Sequence, residues 1–400
     1  MPAIAGLRGS GDWGPDERPK DYRESILWLE PNGQSPLNAL LSKMGSQSPA
    51  DPEFNWWEEK LDHVRLQANG ALNTSETSLT VDAGAMNCVA GDLFIVESAG
   101  GIFLGEVIQV NAEPTSDTAL TIKRGAAGTT PAAIADNAYQ TKIGSAFAEG
   151  TRSPRASTRH PVKLKNYCQI FKTTYEITET AAKISNIRTG DTVKNDKKRK
   201  LFDVMRDMEM AMIYGRAHET TGSNGKPLRT TGGLLSFLTT HRTNFGGGSG
   251  QVAWNEDNLI DFFAQVFDFD GQGAGNQRLA FVGNTGLTAI KKLARNSSST
   301  RLNFDKVATP VYGMNFTRWV LPQGEIYFRT HPLFNAHPEM SKAMMVINPA
   351  GIKERPFRSL TYKDNVQEND SDTKKGQWLA ETGLEVNHEE TMAFAGNLGG

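Results

Sequence analysis

Residues 191–217 carry the longest helical pattern in the chain, and this pattern constrains the fold more than any other feature. Its apolar side chains recur at three- and four-residue steps, the period of one helix face. These side chains are Leu201, Val204, Met205, Met208, Ala211, Met212 and Gly215. A helix of this length would extend over roughly 40 Å and cross a whole domain. Its first half is charged, and its second half is apolar around several faces, so we expect residues 208–214 to be buried.

Composition favours an ordinary multidomain protein. A chain of 400 residues exceeds the size at which a single hydrophobic core stops growing. The formal net charge of −2 gives no global basic field of the kind found on nucleic-acid binders. The two cysteines, Cys88 and Cys168, argue against a disulfide framework or a cysteine metal site and are expected to be buried. No stretch predicts a membrane helix or a signal peptide, so we expect a cytoplasm-like compartment.

Residues 1–60 predict an extended arm. Prolines interrupt this region, which leaves short helical candidates at 19–30 and 35–43, the second with Ser35 as its cap. Large apolar side chains in such an arm need another surface to cover them. We therefore expect four tryptophans to anchor the arm on a neighbour: Trp13, Trp28, Trp56 and Trp57.

Residues 72–143 predict a small β-sandwich or barrel. Glycine and proline turns separate short segments in which apolar and polar side chains alternate, as they do along a half-buried strand. The predicted strands are 78–82, 93–97, 102–110, 119–124 and 139–143. This module interrupts a longer extended excursion, whose returning strands are predicted at 163–167 and 169–177.

The remainder of the chain predicts an α+β protein. Thr178 is positioned to cap a short helix, and Asn255 a second helix over 254–269. Residues 228–345 alternate helical and strand patterns, which is typical of a compact α/β unit. The tail, 350–400, carries predicted strands that we expect to pack on the long helix.

No motif in the chain predicts catalysis. A phosphate-binding glycine loop, a zinc-protease pair of histidines and a nucleophile elbow are all absent from the sequence. The calcium-loop-like start at Asp268 lacks the acidic residue required at position twelve, which is Leu279. His331 and His337 flank a proline-containing segment that we interpret as a surface loop rather than as a metal site.

Two basic features leave alternatives open. The first turns of the long helix carry five cations, where positive charge opposes the helix dipole: Lys194, Lys197, Lys198, Arg199 and Lys200. A solvated helix face is the simpler interpretation, and contact with a neighbouring subunit or a nucleic-acid backbone is the sharper one. The loop with Arg152, Arg155 and Arg159 suits either an anion clamp or a contact between subunits.

The order of parts, together with several stretches, resembles the major capsid proteins of tailed bacteriophages, which share the Hong Kong phage-type fold. The stretches are residues 143–150 (IGSAFAEG), 171–181 (FKTTYEITETA), 208–211 (MEMA) before Gly215, and 232–234 (GGL). The chain is most similar to the subgroup whose extended loop carries an additional β domain.

This resemblance implies a division of the chain into parts. The arm would comprise 1–55, and the extended loop 56–170 with the inserted β domain at 72–143. The peripheral domain would comprise 171–227 and 346–400 around the spine helix 191–217, and the axial domain 228–345. Such subunits form hexamers and pentamers of an icosahedral shell that encloses double-stranded DNA. We expect a structural protein of the virion, assembled in the bacterial host cytoplasm.

The resemblance also implies partners and absences. We expect a separate scaffolding protein, because the chain from Met1 to the spine leaves no room for a helical scaffolding segment, and also a portal and a candidate decoration protein. No cofactor, metal, membrane contact or enzymatic activity is expected, and no lysine–asparagine crosslink can be assigned. The alternative function is a phage or cell-surface binding module, in which the β insertion recognises carbohydrate or a decoration protein.

Overall fold

The computed structural model describes residues 36–60, 64–98, 100–156, 160–184, 192–269, 275–296, 309–311 and 314–399. Within these ranges the α-helices are α1 (Pro36–Leu41), α2 (Glu179–Lys183), α3 (Thr192–Tyr214), α4 (Leu234–Phe237), α5 (Glu256–Gln265), α6 (Asn284–Asn296) and α7 (Pro338–Ser341). Short 3-10 helices lie at Ala85–Asn87, Pro332–Ala336, Pro349–Gly351 and Glu389–Thr391.

The strands of the described residues form five sheets. In chain order they are β1 (Glu53–Glu58), β2 (Arg65–Gln67), β3 (Ser78–Thr80), β4 (Asp92–Glu97), β5 (Phe103–Val110), β6 (Ala119–Ala126), β7 (Tyr139–Ser145), β8 (Val162–Tyr167), β9 (Gln169–Thr178), β10 (His218–Thr221), β11 (Pro227–Thr230), β12 (Arg242–Asn244), β13 (Gln277–Val282), β14 (Thr309–Val311), β15 (Met314–Val320), β16 (Glu325–Thr330), β17 (Met344–Ile347), β18 (Ile352–Lys363), β19 (Thr373–Val386) and β20 (Ala393–Gly396). Two of the sheets are two-stranded: β1 pairs with β8, and β10 with β11.

The chain divides into two compact units, Trp57–Lys163 and the remainder. The first unit contains a six-stranded antiparallel sheet in the order β2-β7-β4-β5-β6-β3. Its two edges meet directly after β2 and β3, where Ala68 and Val81 form a bridge. Asn69 N donates to Thr80 O at 2.9 Å, and Asp82 N donates to Gln67 O at 3.0 Å. The sheet therefore closes on itself as a barrel, which leaves no open edge at this point.

The barrel has an apolar core and an ionic pair at its wall. Alternate side chains of its strands point inward, among them the fully buried Phe94, Val96 and Ile108. Glu106 is also fully buried and pairs with Arg124 at 2.7 Å. Burial alone would raise the pKa of Glu106, but hydrogen bonds from Arg124 and from the N–H groups of Ala132 and Gly125 outweigh it and hold this pKa below its ordinary value.

The larger unit is built on a seven-stranded mixed sheet in the order β12-β20-β17-β13-β16-β15-β14. Successive residues of β13 point to opposite faces, so the sheet contributes to two cores. Leu279 and Phe281 face a core that includes α1 and α3, whereas Ala280 and Val282 face a core that includes α5 and α6. The terminal strand β20 lies in this sheet beside β17. The assignment of all of 346–400 to the peripheral domain therefore differs from the structure at Ala393–Gly396.

A three-stranded sheet, β18-β19-β9, packs on the long helix α3. Phe171 of β9 and Ala380 of β19 are buried in the same core as Val204 and Met208 of the helix. Trp378 Nε1 donates to the carbonyl oxygen of Lys197 at 3.1 Å. The expectation that tail strands cover the helix is confirmed for β18 and β19.

Helix α3 is shorter than the predicted 191–217, and its second half is buried along one stripe, which includes the predicted Val204, Met208 and Met212, rather than around several faces. It ends at Tyr214, and a Cβ atom on Gly215 would collide with the carbonyl oxygens of Thr231 and Ala211. The close approach of these backbones requires glycine there and ends the helix. The expectation of burial throughout 208–214 is also wrong at Met210, which is exposed, whereas the charged Glu209 within this range is fully buried.

We predict that Glu106→Gln destabilises the barrel by about 3 kcal/mol, because it leaves the Arg124 guanidinium buried without its carboxylate. Hydrogen exchange of the full-length protein, followed by mass spectrometry, should show faster exchange throughout Trp57–Lys163. The matched control is Glu113→Gln, which removes an exposed pair with Arg155 at 3.4 Å and should change stability by less than about 1 kcal/mol. Equal hydrogen exchange in the two variants would contradict the stabilising role of the Glu106–Arg124 pair.

Candidate functional site

A single carboxylate inside the larger unit holds three distant segments together. Glu209, in the middle of α3, is 0 % exposed. Its Oε1 accepts a hydrogen bond from Leu37 N at 2.7 Å, and its Oε2 accepts one from Asn38 N at 2.8 Å. These two amides belong to the first turn of α1, where backbone N–H groups have no acceptor within the helix. The spine helix, α3, therefore binds the arm helix, α1, through charge-assisted hydrogen bonds.

His331 completes this buried contact. Its Nε2 lies 2.9 Å from Glu209 Oε1, and both side chains are fully buried. A proton on Nε2 lets the ring donate to the carboxylate, and Nδ1 then has no hydrogen-bond partner among the described residues. The His331 ring stacks on the Phe334 ring, with 4.6 Å between the ring centroids, and forms a T-shaped pair with the Phe281 ring, with 5.4 Å between the centroids. The interpretation of His331 as a surface-loop residue is wrong, whereas His337 is exposed as expected.

The sequence gives little sign of this contact. Glu209 lies between Met208 and Met210, in a stretch that is mainly apolar. Its partners Leu37 and His331 are 172 and 122 residues away in sequence. Only the isolated charge within an otherwise apolar half-helix could have indicated a buried partner.

The arm finds part of its partner within the same chain. Leu37, Leu40 and Leu41 are buried in the core beneath α3. Trp56 is also buried, stacked on Phe54 at 6.1 Å and tilted against Phe237 at 5.9 Å. The expectation that Trp56 anchors the arm on a neighbour is therefore wrong. Trp57 remains 64 % exposed, and Trp13 and Trp28 lie outside the described residues.

The basic cluster on α3 divides into packed and exposed members. The ammonium group of Lys197 lies 3.4 Å from the centre of the Tyr362 ring, a cation–π contact that fixes this side chain under the sheet. Lys200 pairs with Asp203 at 3.4 Å. Lys194, Lys198 and Arg199 are exposed. The exposed part of the basic cluster is therefore smaller than the five residues of the sequence pattern.

One arginine of the predicted arginine loop, Arg155, packs against its own compact unit. The Arg155 guanidinium donates to the Met86 carbonyl oxygen at 3.1 Å and pairs with Glu113 at 3.4 Å. Arg152 is exposed, and Arg159 lies outside the described residues. Arg155, one of the three arginines predicted to contact an anion or a neighbouring subunit, therefore has partners within its own unit.

An apolar tip projects from the barrel between β4 and β5. Ile102, Phe103 and Leu104 are 71 %, 64 % and 39 % exposed. Because neighbouring residues of a strand point to opposite faces, exposure of all three means that both faces are uncovered at this end. Apolar clusters of this kind mark interaction surfaces.

The described part of the chain contains neither a disulfide nor a metal-binding cluster. Cys88 and Cys168 are both free and buried, as predicted, and burial raises the pKa of each thiol to about 12. No group of histidine, cysteine and acidic side chains with a metal-binding arrangement occurs within the described ranges. None of the helices described there is long and apolar enough to span a membrane.

Comparison with known proteins identifies the family. The model of the SU10 major capsid protein family matches residues 7–399 of the chain. The chain belongs to the SU10 major capsid protein family.

One curated protein and one solved structure are similar to this chain. The major capsid protein of Pseudomonas phage PaMx41 is 27 % identical over 320 residues, which cover 79 % of this chain and 73 % of that protein. The capsid of a native GTA particle superposes with a TM-score of 0.51 at 8 % identity and covers 97 % of both chains. The second likeness concerns the fold alone.

The family match confirms the resemblance drawn from the sequence, the capsid fold and the function of a phage major capsid protein, a component of the virion shell. The alternative function, a separate binding module for carbohydrate or a decoration protein, is not supported by these comparisons. The residues of the basic cluster, the arginine loop and the arm are not assigned a role by the family match.

We predict that Glu209→Gln releases the arm helix without unfolding the capsid protein. The amide retains one acceptor oxygen but places N–H groups against the donors of α1, which costs about 1–3 kcal/mol. Hydrogen exchange at residues 36–44 should accelerate by about tenfold or more. Asp207→Asn, on the exposed face of the same helix, is the control and should change nothing. Unchanged exchange at 36–44 in the Glu209 variant would disprove this role.

Proposed function

We propose that this capsid protein assembles as hexamers and pentamers into an icosahedral shell around double-stranded DNA. The family match over residues 7–399 is the observation that carries the proposal, because it spans both compact units. The exposed apolar side chains of Trp57 and of the barrel tip add support. Copies of the chain in a closed shell would cover such surfaces within interfaces larger than about 1,000 Å².

The exposed cations of the spine helix are the proposed contact to a neighbouring subunit or to the packaged genome. Lys194, Lys198 and Arg199 are the members at the surface, and Lys197 has a packing role. A formal net charge of −2 suits a wall that contacts DNA locally without binding it tightly along its length. Arg152 and Trp57 are further proposed contacts between subunits.

Other components of the particle belong to the same proposal. A separate scaffolding protein, a portal and a decoration protein would meet the shell during or after assembly in the bacterial host cytoplasm. The role of the protein is structural and non-enzymatic, with neither cofactor nor metal. Its interactions would then be repeated contacts between copies of one chain, arranged by symmetry.

Electron microscopy of purified material tests shell formation. Coexpression of the protein with the scaffolding protein of its phage should yield closed shells of uniform size that contain rings of six and five subunits. The physical reason is that closed symmetry covers every copy's apolar tip and Trp57 at once. A stable monomer with no shells or rings under the same conditions would contradict the proposal.

The triple variant Lys194→Ala, Lys198→Ala, Arg199→Ala tests the basic surface. We expect a folded subunit with reduced yield of DNA-filled particles, measured by sedimentation and by DNA content per particle. Arg206→Ala is the matched control, because it removes an exposed cation of the same helix that lies outside the basic cluster and pairs with Asp203 at 3.3 Å. Normal yield and DNA content in the triple variant would remove the basic surface from the proposal.

A further inference from the structure

An open groove along α6 in the larger unit has a cavity volume of about 480 Å³. Its walls combine apolar side chains with two lysines, and no acidic side chain of the described residues lines it. The lining includes Trp254, Thr288, Lys292, Leu293, Lys342 and Leu398. Neither Lys292 nor Lys342 takes part in an ion pair within the described ranges. The groove therefore offers an apolar surface beside uncompensated positive charge.

These walls define the chemistry of an occupant. The volume lies within the range of about 300–1,000 Å³ that is typical of binding pockets, and it admits a large aromatic side chain with its neighbours. The two lysines favour a carboxylate next to that ring.

The two lysines lie towards opposite ends of the groove. A Cβ atom on Gly286 would lie 3.5 Å from the carbonyl carbon of Lys342, so Lys342 adjoins the first turn of α6. Between residues 286 and 292 the helix axis advances by about 9 Å. A peptide bound along α6 therefore meets a positive charge at either end.

Strand β1 exposes a matching pair of side chains where it ends. Trp57 is the one exposed tryptophan of the described residues, with 64 % of its surface accessible. Glu59 is also exposed, and residues two apart in an extended chain share a face, so its carboxylate lies on the same side as the indole. Their Cα atoms are about 7 Å apart in an extended segment. An indole in the middle of the groove thus brings Glu59 to a lysine in either chain direction.

Two other exposed aromatic side chains have an acid close by in sequence, but they fit the groove less well. Phe147 precedes Glu149, and Phe269 follows Asp268. Both phenylalanines keep more than half of their surface covered within the chain, and neither lies in a strand. Trp57 has the larger uncovered ring and therefore the greater need of an apolar partner.

The occupant of the groove comes from a second copy of the chain. Trp57 does not line the groove of its own chain, and the strand that carries it, β1, is fixed by pairing with β8. Every copy has one groove and one Trp57, which are different surfaces, so the contact is heterologous and can close into a ring of subunits. A tryptophan seated in an apolar pocket is also typical of an interface hot spot.

We propose that Trp57 of one subunit inserts into the groove along α6 of a neighbouring subunit, with the indole against Trp254 and Leu293 and the Glu59 carboxylate paired with Lys292 or Lys342. This inference rests on the proposed shell-building function and names the receptor for Trp57 on the neighbour.

Zero-length crosslinking of the natural protein tests this contact. Shells are assembled with the scaffolding protein from an equal mixture of unlabelled and isotope-labelled subunits, checked by electron microscopy, and treated with a carbodiimide, which joins a carboxylate directly to an adjacent amine. Mass spectrometry should find Glu59 joined to Lys292 or Lys342, in pairs of mixed isotope composition that show a link between chains. Lys291, exposed on α6 outside the groove lining, is the internal control and should not be joined to Glu59.

The possible outcomes separate this contact from shell formation itself. Shells in which Glu59 is not joined to a groove lysine would overturn the contact alone. The same holds for groove lysines joined to Glu149 or Asp268 instead of Glu59, and for links confined to single chains. Absence of shells would overturn the proposed function and this contact with it.

Charge reversal gives a second measurement. Glu59→Lys places a third cation beside the groove lysines and should lower the yield of closed shells about tenfold or more. Adding Lys292→Glu or Lys342→Glu, whichever lysine is crosslinked, should restore the yield, since the pair is then re-formed with its charges exchanged. Glu149→Lys makes the same change in net charge on an exposed glutamate outside the contact and should keep the natural yield. An equal loss in Glu149→Lys, or no recovery with the second reversal, would contradict the contact.

Discussion

The buried charge of Glu209 is the constraint on which the larger unit depends. A carboxylate removed from water is costly unless hydrogen-bond donors surround it. Here the donors come from the arm helix and from His331, so neither segment can leave without exposing an unsatisfied charge in the core. The spine helix, the arm and the end of the seven-stranded sheet are thereby tied to one position. An apolar core alone would tolerate sliding between these elements, whereas a carboxylate with directed donors specifies one register.

Local patterns predicted local structure well. The strands predicted at 163–167 and 169–177 correspond to β8 and β9, because period-two alternation is a property of each strand by itself. Thr178 and Asn255 cap α2 and α5 through their side chains, as the cap chemistry predicts. The end of α3 was mispredicted since it depends on Thr231, which approaches Gly215 from another part of the chain.

The candidate site was predicted poorly for the same reason. Glu209 and His331 were not recognised as partners, and His331 was not recognised as buried, because the distance between the two residues in sequence hides a contact of 2.9 Å. Conversely, Trp56 and Lys197 are of residue types that often contact partner proteins, but here they pack within the same chain, against Phe237 and Tyr362 respectively. A sequence shows which side chains need a partner but not whether the same chain supplies it. What remains exposed after folding, such as Phe103 of the barrel tip, is the better guide to a capsid protein's contacts with its neighbours.

The most direct measurement is a near-atomic cryo-electron microscopy reconstruction of the assembled shell. If Glu209 fixes the arm and copies of the chain cover the exposed apolar surfaces, every subunit will retain the contacts from Glu209 to Leu37, Asn38 and His331. The side chains of Ile102 and Phe103 will lie against a neighbouring subunit. A shell in which the arm helix has left Glu209, or in which the barrel tips face solvent in all copies, would contradict this account.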